Sequence, residues 1–97
     1  MKVRFRSSAS LEISRAADWY EKEFEAGTDF LDAVEKSVGK IAKEPFFWKP
    51  FGKFRRYKMK RFPYYIFYTA KDDLIVISGV FHEKRDPSTW QNLLKNR

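Results

Sequence analysis

The chain has 97 residues, a net charge of +7, 19% aromatic residues and no cysteine. The lack of cysteine removes a disulfide framework, a thiolate metal site and a cysteine nucleophile. No apolar run approaches the ~18 residues of a membrane span, and the N-terminus lacks a charged-then-apolar leader profile, so the expectation is one soluble cytoplasmic domain without membrane contact.

The charge is spread unevenly. Residues 1–44 carry eight basic and nine acidic side chains, whereas residues 45–97 carry twelve and four. A field of that sign attracts an acidic protein or peptide, or nucleic acid. A basic surface that serves only solubility is the rival reading. The concentration of charge in one stretch argues against it.

Lys2 to Arg6 alternates polar and apolar residues, which predicts a half-buried strand with Val3 and Phe5 inward. Ser8 is the expected cap of a helix running to about Glu25. Ile13, Ala16, Ala17, Tyr20 and Phe24 form its inner stripe, and Asp18 and Lys22 are spaced to pair outside. Gly27 is read as the stop of this helix. Thr28 is read as the cap of a second, which reaches about Glu44 with Leu31, Val34, Val38 and Ile41 inward. Gly39 costs that helix about 1 kcal/mol relative to alanine, a cost that a close helix–helix approach would explain. Pro45 ends it, and the short link predicts an antiparallel helical hairpin.

Residues 46–52 read as a loop carrying Phe46, Phe47, Trp48 and Phe51, either a lid on the core or an exposed edge for a partner. Lys53 to Arg61 reads as a strand with six Lys or Arg and no acid. Tyr57 and Met59 face inward, and Arg56, Lys58 and Lys60 share the other face. Arg61-Phe-Pro-Tyr64 marks a turn or bulge, because proline cannot donate to a ladder. Tyr65 to Tyr68 resumes the sheet. Lys71-Asp-Asp73 reads as a hairpin turn in preference to a metal site. Leu74 to Phe81 is apolar on both faces and belongs inside the sheet. Asp86 and Pro87 open a final helix, Ser88 to Lys95, with Trp90, Leu93 and Leu94 apolar. The fold class is α+β, ordered β-α-α-β-β-β with a short last helix. An antiparallel-rich sheet carries the helical hairpin on one face and is partly open on the other. Nothing in the pattern calls for a metal or a cofactor.

Several strings together resemble the RelE/ParE superfamily of bacterial type II toxins. They are Ala16-Ala-Asp-Trp-Tyr20, Phe30-Leu31, Pro45, Arg61-Phe-Pro-Tyr-Tyr-Ile-Phe-Tyr68, and His82-Glu-Lys-Arg-Asp-Pro87 followed by Trp90. The resemblance covers nearly the whole chain. It implies a plasmid-stabilising, growth-arresting toxin in a hetero-oligomer with a cognate acidic antitoxin, whose extended or helical segment wraps over the toxin's grooves. RelE-like members cut messenger RNA in the ribosomal A site, and ParE-like members inhibit DNA gyrase.

Metal-free RNA cleavage needs the 2′-hydroxyl deprotonated, the leaving oxygen protonated and the phosphorus-centred charge stabilised. Under the ribonuclease reading Arg61, His82 and Arg85 are the catalytic candidates, and His82, the only histidine, is the only imidazole for proton transfer. A structural histidine holding the terminal loop is the competing role. RelE-like sequences often add a tyrosine or histidine after the last strand, where this chain has Trp90. The His-x-x-Arg-Asp-Pro-x-x-Trp pattern looks more ParE-like. On that reading Arg55, Arg56, Lys58, Lys60, Arg61 and Arg85 contact the target or the antitoxin. A RelE-type endoribonuclease is the alternative, and a non-toxic nucleic-acid-binding domain the third reading.

Overall fold

A computed structural model describes residues 1–97. Its elements are β1 (Lys2–Phe5), α1 (Ser7–Phe24), α2 (Gly27–Lys43), β2 (Lys49–Phe51), β3 (Phe54–Lys58), β4 (Tyr64–Lys71), β5 (Leu74–His82) and α3 (Pro87–Leu94). The sheet runs β1-β5-β4-β3-β2, with β1 parallel to β5 and every other pair antiparallel. This is the expected α+β architecture. Its most apolar strands, β4 and β5, lie inside the sheet with a neighbour on each side.

Alternation assigns the two faces. Ile66 and Tyr68 of β4, Ile75 and Ile77 of β5 and Tyr57 of β3 pack under the α1–α2 hairpin. Phe54, Phe67 and Phe81 turn the other way and meet Trp90 and Leu94 of α3. A bulge makes this possible in β5. Phe67 pairs with Gly79 but Tyr68 pairs with Ile77, so Ser78 is the extra residue. It reverses the parity, sending Val80 to the hairpin face and Phe81 to α3.

β5 also outruns β1. Their pairing ends at Phe5 and Ile77, while β5 continues to His82. Its backbone past that point needs other partners. Glu12 of α1 accepts from the Val80 N–H at 3.1 Å, and Arg97 donates to the Ser78 carbonyl at 3.1 Å. Glu12 and Arg97 then pair with each other at 3.0 Å, both largely buried.

The hairpin is built differently from its expected form. Arg6, not Ser8, stands at the N-cap of α1, and no side chain caps there. The chain leaves α1 through Glu25, whose φ of 53° is left-handed, and the Ala26 N–H reaches back to the Tyr20 carbonyl at 3.1 Å. With the Glu25 N–H on the Glu21 carbonyl at 3.0 Å, this is a left-handed helix closure formed without the usual glycine. Gly27 is instead the first residue of α2, where Ala26 rather than Thr28 is the N-cap. A Cβ at Gly27 would lie 2.9 Å from the Ala17 carbonyl and 2.9 Å from Glu21 Cβ. The close approach expected at Gly39 is therefore at Gly27, and Gly39 is exposed with nothing near it. Asp18 and Lys22 form no ion pair.

The inner faces are Ala9, Ile13, Ala16 and Ala17 on α1, and Phe30, Ala33, Val34, Ser37 and Ile41 on α2. Small alanines at the contact bring the helices close. Phe30 fills the wedge with Tyr20, Phe62 and Tyr64, at ring separations of 5.3, 5.1 and 5.3 Å. Phe24 and Leu31 are pushed outward, 65% and 47% exposed, and Phe5 sits at the sheet rim.

The expected loop at 46–52 contains β2, paired to β3. Trp48 and Phe51 close on the core against Tyr57 and Phe67, whereas Phe46 and Phe47 project into solvent. β3 ends at Lys58, three residues before the expected Arg61, because Met59 to Pro63 turn the chain into β4. Asp86 accepts from the Ser88 N–H and Pro87 opens α3, as expected.

Three stability measurements check these features. Gly27→Ala destabilises by about 1–3 kcal/mol through overpacking, and Gly39→Ala stabilises by up to about 1 kcal/mol, both read by thermal melting. Glu12→Ala, which strands the Val80 N–H and Arg97, costs about 2 kcal/mol in denaturant titration. Tyr68 is buried, donates to the Pro45 carbonyl at 2.7 Å, and burial raises its phenol to about 12, with Arg55 pulling weakly the other way. Its folded value lies above its unfolded value of 10.0, so stability is complete below pH 10 and falls as pH rises toward 12. Tyr68→Phe shallows that alkaline loss, measured by denaturation across the same range.

Candidate functional site

The basic residues do not form one surface. The fold distributes them over three places, because β3 contributes side chains to both faces and its last charges lie beyond the strand.

The first place is a strip on the α3 side of the sheet. Arg56 and Lys58 project there, two residues apart on β3. The Arg56 guanidinium lies 4.8 Å from the Tyr65 ring and 5.7 Å from Trp90. Lys58 Nζ lies 2.6 Å from Glu83 Oε1, and this hydrogen bond lowers the Glu83 carboxyl below its ordinary value. With Trp48, Lys49 and Tyr65 these two line a depression of about 330 Å3. The buried indole N–H groups of Trp48 and Trp90 have no acceptor. Cations beside aromatic faces suit a phosphate or carboxylate next to a planar group.

The second place is where Lys60 and Arg61 lie. The turn after Lys58 carries Lys60 away from Arg56 and Lys58, so the expected common face holds only the first two. Lys60 and Arg61 instead line a depression of about 220 Å3 against α2, with Lys36, Lys40 and Asp32. Arg61 stands 3.8 Å from Asp29 and its guanidinium 5.5 Å from the Phe62 ring. Arg55 belongs to neither place. It faces the hairpin side, donating to the Trp48 carbonyl at 2.9 Å.

The third place is a cleft of about 430 Å3 between α1, the end of β5 and α3. His82 and Arg85 line it, together with Arg15, Trp19, Tyr64 and Arg97. Two of the three candidate catalytic side chains therefore meet, and Arg61 does not join them. Arg85 is in no ion pair. His82 Nδ1 accepts from the Lys84 N–H at 3.1 Å, and its ring stands edge-on to Tyr64 with centroids 5.2 Å apart. Burial raises the Tyr64 phenol above its ordinary range, with Arg85 opposing, so the cleft presents a neutral hydroxyl beside cations.

Sequence reading missed Arg15, Trp19, Lys36 and Lys40. A signal was available. Leu11, Arg15 and Trp19 are spaced by four on the α1 face away from the core, and Lys36 and Lys40 repeat that spacing on α2. Leu11 and Trp19 are each about half exposed, at 49% and 51%, which leaves the cleft an apolar rim.

Known proteins give the context for this geometry. No curated protein matches the chain. Among solved structures, the Pseudomonas aeruginosa chromosomal ParDE toxin–antitoxin system superposes with a TM-score of 0.65 at 17% identity, covering 84% of this chain and 95% of that one. At that identity the likeness concerns the fold. The family model for the ParE toxin of the type II toxin–antitoxin system parDE matches residues 3–87, which include the whole sheet but Lys2 and the residues lining all three basic places except Trp90, Leu93 and Arg97. The chain belongs to the ParE toxin family of type II toxin–antitoxin systems.

Proposed function

We propose that this toxin arrests growth in the cytoplasm by binding a protein target, with DNA gyrase as the target class, and is neutralised by a cognate acidic antitoxin. The observation that carries the choice of binding over cleavage is the separation of the candidate catalytic side chains. His82 and Arg85 line the cleft, whereas Arg61, the cation that would stabilise charge beside them, stands 3.8 Å from Asp29 and lines the depression against α2.

The cleft suits protein recognition. Arg15 and Arg85 supply unpaired guanidinium groups, Leu11 and Trp19 supply exposed apolar area, and Tyr64 supplies a neutral hydroxyl. Two arginines beside an exposed apolar and aromatic rim is the composition that interface anchors favour.

A ribosome-dependent ribonuclease is the second reading, favoured by the aromatic–cation strip at Arg56, Lys58, Tyr65 and Trp90. Mapping messenger RNA 5′ ends shortly after induction separates the two. The expected result is growth arrest without new ends at a fixed codon position, and relief on co-expressing the small acidic protein encoded beside the toxin. New ends at a fixed codon position would assign the ribonuclease reading. In purified supercoiling reactions the chain inhibits gyrase, and Arg15→Glu with Arg85→Glu weakens inhibition by at least about tenfold.

A further inference from the structure

The turn between α2 and β2 displays two neighbouring phenylalanines. Phe46 is 58% exposed and Phe47 69%, the highest value among the large apolar side chains. Neither lines the cleft. Single exposed apolar residues are ordinary, but adjacent ones form a patch. The backbone beneath the patch is tied down on both sides. The Pro45 carbonyl accepts from the hydroxyl of the fully buried Tyr68 at 2.7 Å. The Phe47 N–H donates to the Glu44 carbonyl at 3.1 Å, and the Trp48 carbonyl accepts from Arg55 at 2.9 Å. Pro45 and Pro50 bracket the segment and fix their own φ. The rings are held as well. The Arg55 guanidinium lies 5.9 Å from the Phe46 centroid, and Phe47 meets Trp48 at 88° with centroids 4.9 Å apart.

Fixed and exposed is the combination that binding rewards. A side chain already held in place loses little freedom when it enters a pocket. Aromatic residues are enriched at the buried centres of interfaces. The surroundings of the turn set the sign of the pocket. Lys40, Lys43, Lys49 and Lys53 are exposed and in no ion pair, and Glu44 is the only acid in residues 40–55. A pocket that takes the two rings must therefore carry carboxylates at its rim. Stacking on nucleic-acid bases fits the turn less well. A base needs an open ring face, yet Arg55 lies over Phe46, and Phe47 and Trp48 stand at right angles in place of a common platform. A second copy of this chain is disfavoured, because a symmetric contact sets two lysine clusters against each other.

We propose that Phe46 and Phe47 are an anchor for the target protein, separate from the cleft, and that they enter an apolar pocket with an acidic rim. The identity of the target rests on the gyrase reading above. The chemistry of the pocket rests on the turn alone.

Purified supercoiling reactions test it, with the unaltered chain and with Phe46→Ser combined with Phe47→Ser. The expected result is at least about tenfold weaker inhibition by the double variant, with its melting temperature and its affinity for the acidic protein encoded beside the toxin unchanged. Lys43→Glu with Lys49→Glu weakens inhibition by at least about tenfold, and the inhibition that remains depends less on salt. If the phenylalanine variant fails to fold, the lysine variant decides. Undiminished inhibition by either folded variant overturns the anchor and leaves the gyrase reading standing. An unaltered chain that does not inhibit gyrase overturns both. Loss of affinity for the acidic protein in the phenylalanine variant assigns the turn to the antitoxin and overturns the proposal. So does binding of the unaltered chain, lost in that variant, to single-stranded DNA or to vesicles of equal parts phosphatidylcholine and phosphatidylglycerol.

Discussion

A mismatch in strand length organises this molecule. β5 is paired by β1 only as far as Ile77, yet it continues to His82. An interior strand with one bare edge exposes backbone groups that must be satisfied. The chain answers with charge from two distant places, Glu12 on α1 and Arg97 beyond α3. That pair fixes α1 across the end of the sheet and ties the tail after α3 to the same point. The cleft holding His82, Arg85 and Arg15 is the space left around this closure, and Glu12 and Arg97 are among its walls. A β1 that reached His82 would close the edge without Glu12 and would leave no cleft there.

Periodicity made most of the architecture legible. The two-residue alternation of β1 and β3 and the apolar runs of β4 and β5 located the sheet, and the three-to-four spacing located both helices. What periodicity could not resolve was which of several equivalent residues takes a special position. Two glycines lie near the hairpin, and their roles are exchanged from expectation, because close approach depends on where the helices cross and not on position within a helix. Three serines lie at the start of α1, yet none caps it. Phe24 and Leu31 fit the inner stripes by spacing alone. Once Phe30 is in the wedge with Tyr20, Phe62 and Tyr64, no room is left for them inside. Asp86 followed by proline was readable, because its only role is local.

The candidate site was less legible, since charge density along a sequence is not charge available at a surface. The run from Lys53 to Arg61 is the most basic stretch of the chain, but its side chains are largely engaged. Arg55 holds a carbonyl, Arg56 lies over two rings, Lys58 holds Glu83 and Arg61 stands against Asp29. The unengaged cations come from stretches of ordinary composition. Arg15 stands alone in its segment, and Arg4 and Arg6 belong to a strand recognised only by its alternation. Net charge by halves therefore does not tell which face carries the unengaged charge. Exposed ion pairs contribute little stability, so the partners of Lys58 and Arg61 serve chiefly to hold those charges in place.

α1 relates the cleft to a second surface, the apolar groove beside β1. Its first turns form a shared wall, with Ser10, Ile13 and Ser14 facing the groove beside β1, and Ser8, Leu11, Glu12 and Arg15 facing the cleft. The groove and the cleft are thus separated by one helix, ~10 Å across. The separation allows the two surfaces to change independently. Substitutions at Lys2, Arg4, Phe5 and Leu31 alter the groove and its basic flank, while Arg85, Trp19 and Tyr64 stay as they are.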